Sequence, residues 1–160
     1  MLAYGTVVPA LYVTKEFLRG ILGEIKSKPI PVGHYANPAM CIGVAVFIVT
    51  VAFPIYFFPF TWIFLILILD GYNYQRGYPS FIKEKELGLA GNLITTLLSG
   101  LICGVLWEIW NFWSISKWVY TVPFFENLKI FEMPLPGYFG FLFFAVGTIA
   151  FVNFLQGIKI

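Results

Sequence analysis

The chain divides by hydropathy into five apolar stretches, residues 1–13, 38–53, 60–75, 89–113 and 137–157, and nearly every charged residue falls between them. An α-helix needs about 20 apolar residues to cross a bilayer. The pattern predicts an all-α, polytopic transmembrane helical bundle, a single integral membrane domain over 1–160 with five membrane segments. The stretch 38–70 is too long for one straight span, and Pro54 and Pro59 interrupt it around Ile55-Tyr56-Phe57-Phe58. Proline removes a backbone donor and breaks or kinks a helix. The stretch is therefore one kinked helix or a short Pro-broken hairpin.

Charge discriminates between the two. A hairpin places every lysine and arginine except Lys117 and Lys129 on one side of the membrane, whereas a single kinked span divides them more evenly. Basic residues concentrate on the cytoplasmic side of membrane proteins, which favours the hairpin. The expected topology has the N-terminus outside, the 14–37 and 71–88 loops cytoplasmic, the 114–136 loop outside and the C-terminus inside, in a bacterial cytoplasmic membrane. The start lacks a basic n-region and an A-x-A-like cleavage site, and 1–13 resembles the tail of a longer span.

Composition agrees with this class. The 160 residues are 59% hydrophobic, 20% aromatic and 11% charged, with a mean hydropathy of +0.84, which is more apolar surface than one soluble core buries. A net charge of +2 with scattered basic residues argues against a nucleic-acid partner. Membrane lipids and other membrane protein subunits are the expected partners. Cys41 and Cys103 sit inside apolar runs with no CxxC or Cys/His spacing, so they read as packing thiols rather than a disulfide or metal pair.

Candidate chemistry gathers in two places. At the outer end of the 89–113 segment, Glu108, Asn111, Lys117 and Glu132, joined by Glu126 and Lys129, are interleaved with Trp107, Trp110, Trp113, Trp118 and Tyr120. An ionised carboxylate near a membrane span must be paired, neutral or wetted. One account has Glu108 as an acid or base at a lipid, isoprenoid or quinone site, with Asn111 and Lys117 orienting the substrate. The other has Lys117 neutralising Glu108, Asn111 satisfying helix-end carbonyls, and the Trp and Tyr residues forming an interfacial belt.

The inner cluster is Asp70, Asn73, Arg76 and Ser80, with His34 in a Pro/Gly-rich loop nearby. There Asp70 is expected to pair with Arg76 and cap a turn. His34 is the only histidine and reads as a solvated loop residue. Asp70-x-x-Asn73 and Glu108-x-x-Asn111 share a spacing that puts carboxylate and amide on one helix face, where two such pairs could hold a hard cation. The topology sets them a membrane thickness of about 30 Å apart, so no shared metal site is expected.

Phosphate-loop, dinucleotide, nucleophile-elbow and HExxH motifs are absent, as is a DxxxD pair for a metal-bound diphosphate. No cofactor is indicated: one histidine cannot form a bis-His haem site. The spans are too apolar to line an aqueous pore. Gly100-x-x-x-Gly104 instead favours close helix packing, within the chain or against a partner.

Trp107-Glu108-Ile109-Trp110-Asn111-Phe112-Trp113, Lys117-Trp118-Val119-Tyr120-Thr121-Val122-Pro123 and Phe131-Glu132-Met133-Pro134-Leu135 resemble an uncharacterised family of bacterial multipass membrane proteins. Asp70, Asn73, Gly77, Pro79 and Ser80 match the family's preceding Asp/Asn and Gly-x-Pro-Ser segment. The resemblance covers roughly residues 60 to 141 and implies a multipass helical fold without indicating an activity. Such proteins carry an aromatic-Ala-x-Glu segment in the last helix, where this chain has Phe144-Ala145-Val146-Gly147, so a carboxylate that would complete the outer cluster is missing. That departure and the chain's small soluble mass favour an accessory subunit of a larger membrane complex. The alternative is a membrane enzyme acting on a lipid, isoprenoid or quinone at the outer interface.

Overall fold

Four runs fold into helices long and apolar enough to cross a membrane: Gly33–Ala52, Pro54–Arg76, Gly91–Phe112 and Gly137–Ile158. The computed structural model describes residues 5–121 and 127–158. In chain order the elements are α1 (Val7–Leu22), a 3-10 turn (Gly33–Tyr35), α2 (Ala36–Ala52), α3 (Pro54–Phe57), a second 3-10 turn (Phe58–Phe60), α4 (Thr61–Arg76), α5 (Phe81–Glu86), α6 (Gly91–Phe112) and α7 (Gly137–Ile158). A two-residue ribbon, β1 (Lys129–Ile130) against β2 (Met133–Pro134), lies between α6 and α7.

The Pro-broken hairpin forms as expected. Helix α2 stops because Phe53, held at φ −132° and ψ 61° before Pro54, is out of the helical region. Two short turns reverse the chain, and α4 runs back along α2: the Phe47 and Phe64 rings meet at 5.0 Å, and Gly43 faces Leu67 and Ile68. Thr61 Oγ1 donates to Phe58 O at 2.7 Å and closes the bend.

The expected first segment, 1–13, differs. Its described part belongs to α1, a 16-residue helix that continues past Val13 through Lys15, Glu16 and Arg19 to Leu22. Four of the five expected segments are therefore long and apolar enough to span. Helix α1 runs antiparallel to α6, with Leu11 and Lys15 buried and Thr14 Oγ1 3.5 Å from Cys103 Sγ.

The helices lie in a row, α1–α6–α7–α4–α2, each packed mainly on its neighbours in that order. The α6–α7 contact is close-packed on glycine. A Cβ on Gly100 would come within 2.5 Å of Phe141 O, and one on Gly104 within 2.2 Å of the Phe141 ring, so only glycine permits this approach. The Gly100-x-x-x-Gly104 stripe is thus used inside the chain.

The buried apolar core is small: Phe81, Val146, Ile149 and Ala150, with Ile66, Leu69, Leu93 and Leu97 against it. Most large apolar side chains face outward, as expected where lipid rather than water is the neighbour.

All helix ends gather at two levels. The charged end carries the 23–35 and 77–90 connections, tied by Ser27 N donating to Gly88 O (2.7 Å) and Ala90 N to Ile25 O (2.9 Å). Helix α5, expected as loop, lies here. The aromatic end carries the α2–α4 turn and, after α6, a strap described over 113–121 and 127–136. Of the expected outer cluster, Glu126 lies outside the described residues.

Candidate functional site

At the aromatic end, positions 100, 104, 108 and 111 recur at helical spacing and place Glu108 and Asn111 on the same face of α6 as the two glycines. Glu108 is 0% exposed. After α6 the strap folds back over this face, and Asn111 holds it there: its Nδ2 donates to Trp118 O and its Oδ1 accepts from Trp118 N, both at 2.9 Å. Asn111 thus clamps a returning backbone, whereas the sequence suggested that it caps its own helix.

The clamp brings Tyr120 to Glu108. The Tyr120 hydroxyl donates to Glu108 Oε1 at 2.8 Å and accepts from the Trp118 indole N–H at 2.7 Å. Burial, and then the neighbouring Glu108 carboxyl, push the Tyr120 hydroxyl above the usual tyrosine range, so it remains a donor. Glu108 Oε2 is buried and has no hydrogen-bond partner among the described residues.

Lys117 does not pair with Glu108. It forms an ion pair with Glu132 and lies 5.1 Å from the Phe112 ring centre. Lys129 Nζ donates to Tyr120 O at 3.0 Å. The neutralisation of Glu108 expected from Lys117 is therefore replaced by a single bond from Tyr120.

Beside this chain of bonds lies a cavity of about 730 Å³ between α1, α6 and α7. Its walls include Ala10, Leu11, Trp62, Cys103, Trp107, Trp110, Phe141 and Phe144, with Trp118, Tyr120 and Met133 of the strap at the aromatic end. A smaller space of about 270 Å³, bounded by Asn111, Ser114 and Ser116, shares Trp107, Trp110 and Trp118 with it. No family model, curated protein or solved structure matches the chain. The site's meaning therefore rests on its geometry. A volume in the 300–1,000 Å³ range, apolar walls and a few convergent polar groups are the usual features of a small-molecule site. Trp113, 77% exposed, stands outside both spaces.

Gly147 does not face Glu108. A Cβ there would meet Leu65, Ile66 and the Trp62 carbonyl of α4. It also lies nine residues, about 13 Å of helix, beyond Tyr138, which is near Glu108. A carboxylate at position 147 would not complete the outer cluster.

At the charged end, Asp70 is buried at 4% exposure and caps helix α5. Oδ1 accepts from Phe81 N (2.8 Å) and Oδ2 from Ile82 N (3.0 Å), while Ser80 Oγ accepts from Lys83 N at 3.2 Å. The expected pairing of Asp70 with Arg76 is absent: Arg76 Nε donates to Tyr72 OH at 3.1 Å. Asn73 Nδ2 donates to Ala150 O of α7 at 2.9 Å, bonding α4 to α7. His34 is exposed, with its ring tilted against that of Tyr35 at 3.8 Å between centres.

Sequence reasoning missed several polar residues here. Glu86 accepts from Tyr74 OH (2.9 Å) and Gly33 N (2.7 Å), and Asn92 Nδ2 donates to Glu84 Oε1 at 2.9 Å. Glu84, Glu86 and Asn92 sit in or after a short charged run that reads as solvated loop, so no spacing signals their pairing. Among the described residues no group of three His, Cys, Asp or Glu is placed to hold a metal.

Proposed function

We propose that the protein is a multipass membrane protein that binds a single amphiphilic molecule, a lipid or an isoprenoid, in the cavity between α1, α6 and α7. Its tail lies along the apolar walls and its head at Tyr120. The observation that carries this reading is a buried carboxylate with one oxygen free, linked through Tyr120 to the wall of a 730 Å³ apolar cavity. Glu108 does not itself line the cavity, so a ligand hydroxyl meets the Tyr120 oxygen and is coupled to the carboxyl through it. Both nearby lysines are engaged, Lys117 with Glu132 and Lys129 with a backbone carbonyl. That favours a neutral head, an alcohol or a quinol, over a phosphate. Where the ligand is also a substrate, Glu108 is the acid or base, acting through Tyr120.

The positive-inside rule supports a cytoplasmic charged end and an outer aromatic end, in a bacterial cytoplasmic membrane. A second reading, an accessory subunit of a larger complex, draws on the helix row. The outer faces of α1 and α2 carry the exposed side chains Val13, Phe17, Ile48 and Val51.

The deciding experiment is purification from native membrane in mild detergent, with mass spectrometry of everything retained. One neutral amphiphile at about one per chain, lost in Glu108→Gln, supports the binding reading. Larger subunits at fixed stoichiometry, with no enriched amphiphile, refute it and support the second.

A further inference from the structure

Glu84, on the short helix α5, and Asn92, in the first turn of α6, meet at the charged end of the bundle. Asn92 Nδ2 donates to Glu84 Oε1 at 2.9 Å, which fixes which way both side chains face. The amide uses its N–H, so its carbonyl Oδ1 is left over; the carboxyl uses one oxygen, so Oε2 is left over. Both leftover atoms are buried, and neither has a hydrogen-bond partner among the described residues. If Glu84 is ionised, both leftover atoms of this bonded pair are bare acceptors. One proton on Oε2 turns that atom into a donor to Asn92 Oδ1, closing an acid–amide ring in which both atoms are satisfied.

We propose that the Glu84–Asn92 pair is a proton-binding site: Glu84 carries a proton on Oε2, shared with Asn92 Oδ1, and this neutral ring fastens α5 to α6. The charged groups that face Glu84 are Lys15 and Arg19 from α1 and Asp70 from α4; its neighbour on α6 is the uncharged Asn92. Lys15 already has Glu16 Oε1 at 3.2 Å, and Asp70 is held by two backbone N–H groups. Burial raises the Glu84 carboxyl above the usual glutamate range, outweighing the two cations and the bond from Asn92, which act in the opposite direction.

The sign follows. A carboxyl whose folded value lies above its unfolded value stabilises the fold fully below the unfolded value, and that contribution is lost as pH rises through the folded one. Loss of the proton leaves Oε2 and Oδ1 as facing acceptors and turns Glu84 toward Lys15 and Arg19. The α5–α6 fastening then weakens in favour of α1. The site is a pH-sensitive joint on the face where the helix-connecting segments converge, independent of the cavity at the opposite end.

The test uses the full chain in lipid nanodiscs. Infrared difference spectra across a pH titration, wild type minus Glu84→Gln, isolate the carboxylic-acid carbonyl band of this residue. A band that persists above the usual glutamate range, and moves to higher wavenumber in Asn92→Leu because the acid has lost its acceptor, supports the proposal. Thermal stability gives an independent readout. The Gln amide N–H replaces the acid O–H, so Glu84→Gln should lose the wild-type fall in stability with rising pH while matching the wild type at low pH. Absence of a Glu84 acid band above that range overturns the proposal, as does a pH profile of stability identical in wild type and Glu84→Gln. The wild-type titration against Asn92→Leu stands even if Glu84→Gln does not fold.

Discussion

Gly140→Leu is the sharpest probe of the cavity. Gly140 lines it from α7, and a Cβ built at this position meets nothing within 4 Å, so a side chain can enter the space without displacing a neighbour. The helix should benefit, since glycine in a helix interior costs about 0.8–1.0 kcal/mol relative to good helix formers such as leucine. The variant is expected to be as stable as wild type or more stable by about 1 kcal/mol. A bound tail, by contrast, loses the room taken by the four new carbons. At about 0.8 kcal/mol per methylene the upper value of that loss is about 3 kcal/mol, roughly a hundredfold in Kd. Lipid or detergent competes for the same carbons, so the observed loss should be smaller. The assay pairs thermal unfolding with quantitative mass spectrometry of retained amphiphile per chain. A stable variant that has lost its ligand bears out the cavity as the site. Retention at wild-type stoichiometry would refute it, because no tail could share that volume unchanged.

Three other changes probe the framework. Gly104→Leu drives a side chain into the Phe141 ring, where even a Cβ would be 2.2 Å away; overpacking of this kind typically costs 1–3 kcal/mol, and the expected loss of about 3 kcal/mol is read by thermal unfolding in detergent. Asp70→Ala strips the cap from α5 and leaves Phe81 N–H and Ile82 N–H unpaired, for a loss of about 3 kcal/mol and faster hydrogen exchange at those two amides, while Asp70→Asn keeps one acceptor and should lose less. Lys117→Ala removes a half-exposed ion pair and should cost under about 1 kcal/mol by the same unfolding assay.

The membrane class, the four long spans and the hairpin were legible because they depend on run length, proline and charge asymmetry, properties local to the chain. The extent of α1 was not: Lys15, Glu16 and Arg19 break the hydropathy of that segment, yet a helix backbone continues through them, with Lys15 buried. The outer site was half legible. Glu108, Asn111, Trp118 and Tyr120 do come together, but Lys117 was assigned to Glu108 by sequence proximity, and it is the fold of the strap that gives it Glu132 instead. Gly147 misled for a similar reason. Its place in a motif says nothing about the helix face it occupies, and that face looks at Trp62.

The two carboxylate-x-x-amide pairs show why equal spacing need not mean equal role. At both ends the amide bonds backbone from elsewhere, Asn73 to Ala150 O and Asn111 to Trp118, and at both ends the carboxyl receives a hydrogen bond from a segment that folds back on it. The difference lies in what remains. Asp70 has both oxygens occupied by the backbone N–H groups of a helix start, so its chemistry is spent on structure. Glu108 has one oxygen occupied by a side-chain hydroxyl, one free, and a large apolar cavity reached through that same hydroxyl. A buried polar atom with no internal partner calls for an explanation, and Asn73 Oδ1, Glu84 Oε2 and Asn92 Oδ1 at the charged end are in that position too, so it is the cavity beside Tyr120 that sets the aromatic end apart. On the proposed reading the aromatic end is the one that takes a ligand, although both ends carry the same four-residue pattern.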